Sequence, residues 1–337
     1  MFKINTPYAI VAIIVLFLLY LWISNYHKER KGFENIFINA LFQLNRNLHV
    51  FLQKKGKANQ LKVWRPSVVC ISDETFERQN AFNLLNWIAY RHGFGTYIHL
   101  INGYFSKATK EESADVLTDL ITMIEEKEQH IYIDTLISPS YTSAIAQVIQ
   151  LPGISGMENN MLLFEFNKNN PKNLKQIVDN FSLAKAANYD ICILGSSSKP
   201  IAHKRGIHIW IRHIDYNNAN LMILLGFIIN GHPRWRKSTI KIFTINLDLS
   251  DEEMRENLIQ LVNEGRLPIS EKNIEIIRLD AESNVKNYIN ERSAEAGLTM
   301  IGFHSDQMKN RGTETFQGFD DLGDVLFVNA REFRDIR

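Results

Sequence analysis

Only two cysteines, Cys70 and Cys192, occur in 337 residues, and both lie inside apolar runs. That scarcity excludes a disulfide framework and any zinc module built on clustered cysteines. Charge of one sign is missing as well. The 38 Lys and Arg against 37 Asp and Glu leave +1, so no global excess points to nucleic acid as a partner. Counts of 8 Pro and 17 Gly are too ordinary for a collagen-like or linker-dominated chain. No Walker A loop, GxGxxG, HExxH or CxxC is present, and GxSxG cannot be placed anywhere, so the common phosphate, metal and nucleophile signatures are absent.

A composition of 45% hydrophobic and 22% charged residues is that of a folded chain. At roughly 100 to 200 residues per domain it allows two or three folding units. One long apolar run exists, Tyr8 to Ile23 (YAIVAIIVLFLLYLWI), with Tyr8, Tyr20, Trp22 and Tyr26 placed for interfaces. It predicts a transmembrane helix over residues 4–26. A cleaved signal peptide fits less well, since Lys3 is the only charge before the run and no small-x-small site follows.

Residues 27–65 carry nine basic side chains (Lys28, Arg30, Lys31, Arg46, Lys54, Lys55, Lys57, Lys62, Arg65) against Glu29 and Glu34, a net of +7, which leaves 66–337 at −7. By the positive-inside rule this predicts a single span in the inner (plasma) membrane, membrane lipid as a partner and the C-terminal bulk in the cytoplasm. Within the basic segment Phe33, Ile36, Phe37, Ala40, Leu41, Leu44, Leu48, Phe51 and Leu52 recur at helical spacing. Three places can bury such a stripe: the chain's own α/β part, a membrane surface, or the same helix of a second subunit.

After Arg65-Pro66, β-branched and aromatic runs alternate with amphipathic stretches of helix length, the pattern of a mostly parallel sheet with covering helices. Strands are expected near 67–71, 96–101, 130–135, 161–166 and 190–194, with helices near 74–91, 110–127, 139–150 and 171–187. A second set has strands near 207–212, 239–245, 274–279, 298–303 and 325–328, with helices near 217–229, 251–264 and 281–296. Continuous apolar strands such as MLLFEF and DICILG suit a sheet buried on both faces. The unperiodic GSSSKPIAHKRG, from Gly195 to Gly206, separates a first lobe (66–200) from a second (201–337). The expected class is α/β, two tandem lobes preceded by one transmembrane helix and a basic juxtamembrane helix over 27–65.

Candidate functional residues are few. Gly195, Ser196, Ser197 and Ser198 follow a buried strand, where backbone N–H groups and hydroxyls can cradle a phosphate; an interlobe linker explains the same residues. Gly153 and Gly156 suit a tight helix-to-strand connection. Asp134, Asp190 and Asp215 fall near strand ends without a base or nucleophile at a motif spacing. His203, His208 and His213 share no strand face, so no metal site is expected. Nothing here predicts an enzyme.

The stretch Ile149-Gln150 to Asn160 resembles the IQ..GLGGMKPN segment of cation-chloride cotransporters, with Gly153, Gly156, Met157 and Asn160 in matching places. Trp235 to Phe243 resembles that family's KWKDCKIRVF strand entry, Ile207 to Trp210 its IDVWW strand, and Asp324 to Val328 its final PPILLVRG strand. Gly103 and Phe105 fit its VGEF-like strand end. The turn after IDVWW departs, being a longer run without glycine from His213 to Asn220. The resemblance implies the C-terminal part of such a transporter, within the amino acid–polyamine–organocation superfamily. It implies a cytosolic regulatory and dimerising domain whose partners are a transporter membrane domain, on the same or a separate polypeptide, and a second copy of itself. Ion sites of that family lie among membrane helices absent from this chain, so it is not expected to transport potassium, sodium or chloride alone. Its lobes look similar to universal stress proteins, which makes ATP a candidate regulatory ligand while no cofactor is required. A stand-alone anchored α/β protein that senses a nucleotide is the alternative.

Overall fold

A computed structural model describes residues 6–26, 32–57, 64–125, 130–212, 216–246, 271–278 and 284–332. The chain divides into two compact units, Met1–Gln60 and Leu61–Arg337.

The first unit holds helices α1 (Thr6–Tyr26) and α2 (Gly32–Lys57). Among the described residues no helix is long and apolar enough to cross a membrane. The reason is length. Sixteen uninterrupted apolar residues cover about 24 Å at ~1.5 Å per residue, short of the roughly 30 Å hydrocarbon core, and α1 gains its remaining turns from Thr6, Ser24 and Asn25. The expected transmembrane helix over 4–26 is therefore corrected, together with the single-span inner-membrane location and the juxtamembrane character of 27–65.

The second unit is a helix–sheet–helix sandwich around one ten-stranded sheet. In chain order its elements are β1 (Ser67–Ser72), α3 (Asn80–Ala89), β2 (Phe94–Asn102), α4 (Lys107–Glu125), β3 (Tyr132–Ser138), α5 (Tyr141–Val148), β4 (Met161–Asn167), α6 (Leu174–Asp179), α7 (Phe181–Ala186) and β5 (Asp190–Ser196). There follow β6 (Ile207–Arg212), α8 (Tyr216–Asn230), β7 (Ile240–Asn246), β8 (Ile274–Arg278), α9 (Val285–Ser293), β9 (Leu298–Gly302), α10 (Ser305–Arg311) and β10 (Asp324–Asn329). The helix expected near 251–264 lies outside the described residues.

The sheet order is β3-β2-β1-β4-β5-β10-β9-β6-β7-β8. Counted from its own first strand, each half reads third, second, first, fourth, fifth outward to the centre, so the two lobes are topological repeats joined through their fifth strands. That central pair, β5 with β10, runs antiparallel with Phe327 opposite Ile193, whereas the other pairs are parallel. The two lobes thus share one continuous sheet, and the carboxyl ends of lobe 1 strands lie at the edge where lobe 2 strands begin.

Alternation along each strand explains the double-sided burial. Val68 and Cys70 pack on the face covered by α3, α4 and α8, while Val69 and Ile71 pack on the face covered by α5, α6, α7, α9 and α10. Each fully buried aliphatic or aromatic side chain contributes about 1.5–3 kcal/mol. Local signals set several helix ends. Ser140 caps α5 by accepting from the Ser143 N–H. A single helix expected over 171–187 is broken at Asn180, whose side chain donates to Thr142 Oγ1 and to the Gln176 carbonyl, a polar side chain competing with the helix ladder.

Candidate functional site

In open α/β sheets ligands sit beyond the carboxyl ends of strands, where the strand order reverses. Each lobe has one such point, between β1 and β4 and between β6 and β9. The two points differ in what fills them.

In lobe 1 the crevice is occupied by the chain's own charges. The segment Ser72-Asp73-Glu74, at the start of the helix expected near 74–91, instead forms a loop, and the helix begins only at Asn80. That loop carries Arg78 inward. Its guanidinium pairs with Glu74, donates to Ser196 Oγ and lies 3.4 Å from Glu165 Oε1. Glu165, on β4, is only 3% exposed. Its Oε2 and the Arg78 Nε have no hydrogen-bond partner among the described residues. Burial raises the Glu165 carboxyl to about 7, against the pull of Arg78 in the other direction.

Asp324 meets this cluster from the first residue of β10. Its carboxylate accepts from the Ser197 N–H at 2.9 Å and from the Asn80 amide at 3.0 Å to each oxygen. Burial raises the Asp324 carboxyl, and these donors with Lys168 and Arg78 oppose that rise. Lys168, one residue past β4, donates to the carbonyls of Phe319 and Leu322 across the junction, at 3.0 and 2.7 Å. Burial lowers its ammonium to about 8.

Gly195–Ser198 lies within this network. Ser196 Oγ donates to the Phe166 carbonyl, and Ser197 Oγ accepts from the Lys199 N–H. A Cβ at Gly195 would come within 3.0 Å of the Phe166 ring. The Ser197 N–H expected to cradle a phosphate is donated to a carboxylate, and Glu165 and Asp324 make the neighbourhood acidic.

Among the described residues the lobe 2 crevice is open. A cavity of about 500 Å³ lies beyond the ends of β6 and β9. Arg212, Lys286 and Arg311 line it with Trp210, Phe303 and Phe319, and its described lining includes no carboxylate. Lys286 donates to the carbonyls of Glu314 and Gln317 and rides over the Phe319 ring, 5.2 Å from its centroid. Burial lowers the Lys286 ammonium, and Arg311 lowers it further.

Of the residues that carry the resemblance, Trp210 lines the lobe 2 cavity, while the others hold the frame. A Cβ on Gly153 would stand 1.7 Å from the Met157 carbonyl oxygen, and Gly156 has φ +77, a backbone that favours glycine. This turn delivers Asn160 to the opposite end of lobe 1. There its side chain accepts from the Ser67 N–H and donates to the Arg65 carbonyl, pinning the start of β4 to the start of β1. Met157 is half-buried in the same turn. Trp210 stacks on Phe243, centroids 4.6 Å apart, and donates to Ser293 Oγ. Trp235 is fully buried between the lobes, edge-on to Trp87 at 5.1 Å and to His203 at 4.8 Å.

Among the other candidates, Asp190 accepts from the Arg331 N–H and Asp134 from the Thr135 N–H. Asp215 and His213 lie outside the described residues. His208 Nδ1 is 2.9 Å from Ser293 Oγ. Sequence reasoning missed Arg78, Glu165 and Asp324, which lie far apart in the chain. The glutamate inside the apolar run MLLFEF was the signal that could have found them.

No protein-family model matches the chain. Among solved structures it is similar to the cytoplasmic domain of a prokaryotic cation chloride cotransporter, with a TM-score of 0.55 and 14% identity, covering 81% of this chain and 98% of that one. At that identity the likeness is one of fold. Looser similarities are to a universal stress protein from Archaeoglobus fulgidus DSM 4304 (TM-score 0.49, 9% identity, 80% of this chain and 97% of that one) and a protein of unknown function from Pseudomonas aeruginosa PAO1 (TM-score 0.47, 15% identity, 78% and 92%). The second unit is an α/β parallel-sheet domain whose fold resembles a cation-chloride cotransporter cytoplasmic domain.

Proposed function

We propose that this chain is a regulatory and assembly module of a cation-chloride-cotransporter-like transporter, acting on a transporter membrane domain and not moving ions itself. The observation that carries the reading is the paired-lobe sheet, whose fold is shared with nearly the whole of a cotransporter cytoplasmic domain. The buried charges fit a structural and regulatory role. Arg78 pairs with Glu165 and donates to Ser196 within lobe 1, and Asp324 accepts from Asn80 and the Ser197 N–H across the junction, contacts that hold the lobes together. The test is purification of the full chain from its native host in mild detergent, followed by mass spectrometry. A membrane domain of the cation-chloride class is expected, either joined to this sequence or bound to it. Its consistent absence would overturn the reading.

A second reading rests on the lobe 2 cavity. Three cations lining one cavity, Arg212, Lys286 and Arg311, suit the phosphates of a nucleotide. Titration calorimetry with ATP should then show saturable binding weakened by Arg311→Ala. No heat at any ATP concentration would exclude it.

A further inference from the structure

At the amino ends of the lobe 2 strands lies another cavity, of about 400 Å³, separate from the one beyond their carboxyl ends. His208 and Lys241 line it from the sheet. They are the second residues of β6 and β7 and stand side by side in the strand register. Arg292 of α9 and Arg205 of the turn before β6 bring the basic side chains to four, drawn from four segments. The two on the sheet are poorly matched. Lys241 makes no ion pair or hydrogen bond among the described residues. His208 is 7% exposed and its Nδ1 lies 2.9 Å from Ser293 Oγ, which leaves Nε2 as the ring nitrogen with no hydrogen-bond partner among the described residues.

The carboxylates of the cavity do not answer this charge. Glu295 is held by Arg205 at 3.0 Å, Arg292 pairs with Glu275 of β8, and Glu291 is exposed on α9. Besides burial, what acts on the His208 imidazole is Lys241 and Arg292, and together they push it down to about 4. Positive charge thus gathers around His208, where an anionic group is favoured. Arginine and lysine donors that arrive from separate segments suit a ligand with several acceptor oxygens rather than one spherical ion. We propose that this cavity binds a small phosphate-type oxyanion, seated on Lys241 and His208 Nε2 with Arg292 and Arg205 as further donors.

The test is titration calorimetry of the full chain with inorganic phosphate, in a phosphate-free buffer at neutral pH with a non-ionic detergent. Saturable binding is expected, weakened at least tenfold in Lys241→Ala and retained in Lys241→Arg. Lys241 is exposed, so both variants should keep the wild-type far-ultraviolet circular dichroism. Lys110→Ala, an exposed charge on α4 of lobe 1, is expected to bind as the wild type does. Absence of saturable heat in the folded wild type, or equal affinity in Lys241→Ala, would overturn the proposal. So would chloride that displaces phosphate at equal concentration, since the site would then hold any anion. Loss of binding in Arg311→Ala with none in Lys241→Ala would overturn it too, by placing the phosphate in the other cavity.

Discussion

Asn80 and Asp324 stand 244 positions apart in the sequence and meet at the lobe junction, the Asn80 amide 3.0 Å from each oxygen of the Asp324 carboxylate. With the Ser197 N–H on the same carboxylate, this contact ties the first helix of lobe 1 and the end of β5 to the strand that closes lobe 2. Replacing Asp324 by Ala leaves two buried donors unmet and is expected to cost about 3 kcal/mol. Asp324→Asn keeps an acceptor and is expected to cost about 1 kcal/mol. Urea unfolding followed by tryptophan fluorescence checks both. Equal stability of the three proteins would show that the junction does not depend on this carboxylate.

Glu165 gives the junction a pH dependence whose sign is fixed. Its folded carboxyl is raised from 4.5 to about 7, so the folded state holds the proton more tightly than the unfolded chain. The associated stability is complete below about pH 4.5 and is lost as pH rises through about 7, a change on the order of 3 kcal/mol. Asp324 is shifted in the same direction. Glu165→Gln cannot titrate, so its stability relative to the wild type should increase between pH 4.5 and 7. A constant difference across that window would place the Glu165 carboxylate in a solvated or fully compensated site.

The aromatic contact between lobes is expected to be the costliest to remove. Trp235→Ala empties a fully buried site against Trp87 and His203 and should cost about 3–5 kcal/mol. Trp235→Phe should cost far less, since the Trp235 Nε1 has no hydrogen-bond partner among the described residues. Trp210→Phe also loses the bond to Ser293. Thermal unfolding of the three variants separates packing from hydrogen bonding.

Asn160→Ala removes the clamp between β1 and β4 and is expected to destabilise by about 2 kcal/mol. Gly153→Ala should do at least as much, because its Cβ would collide with the Met157 carbonyl. Neither change is expected to alter ATP titrations of the lobe 2 cavity, which lies beyond the ends of β6 and β9. Altered binding in a folded Asn160→Ala variant would mean that the clamp reaches the cavity through the sheet.

Much of the fold was legible because it rests on local patterns. The ten strands come from β-branched runs such as MLLFEF and IHIWIR, and each forms within a few residues of its expected place. What the pattern could not carry was direction and sharing. Nothing in Asp324–Val328 says that this strand runs antiparallel to β5 and fuses the lobes, because pairing is decided by tertiary packing and not by the strand's own residues. The start of α3 was misplaced since Ser72-Asp73-Glu74 has the residues of a helix cap, while Arg78 is drawn into the buried cluster before the helix can begin. The membrane span was overread from hydropathy alone; sixteen residues are strongly apolar, and length decides against them.

The candidate site was less legible for the same reason. Gly195–Ser198 has the composition of a phosphate loop, and the acidic partner that takes its N–H arrives from position 324. The lobe 2 cavity draws Trp210, Lys286, Arg311 and Phe319 from separate elements, so no spacing in the sequence announces it.

The measurement that bears most directly on the regulatory reading is chloride-dependent rubidium uptake in native host cells with this chain present and with it removed, the chain being restored from a plasmid as control. The account predicts that uptake changes when the chain is lost and recovers when it is restored. Identical chloride-dependent uptake in all three cases would contradict it.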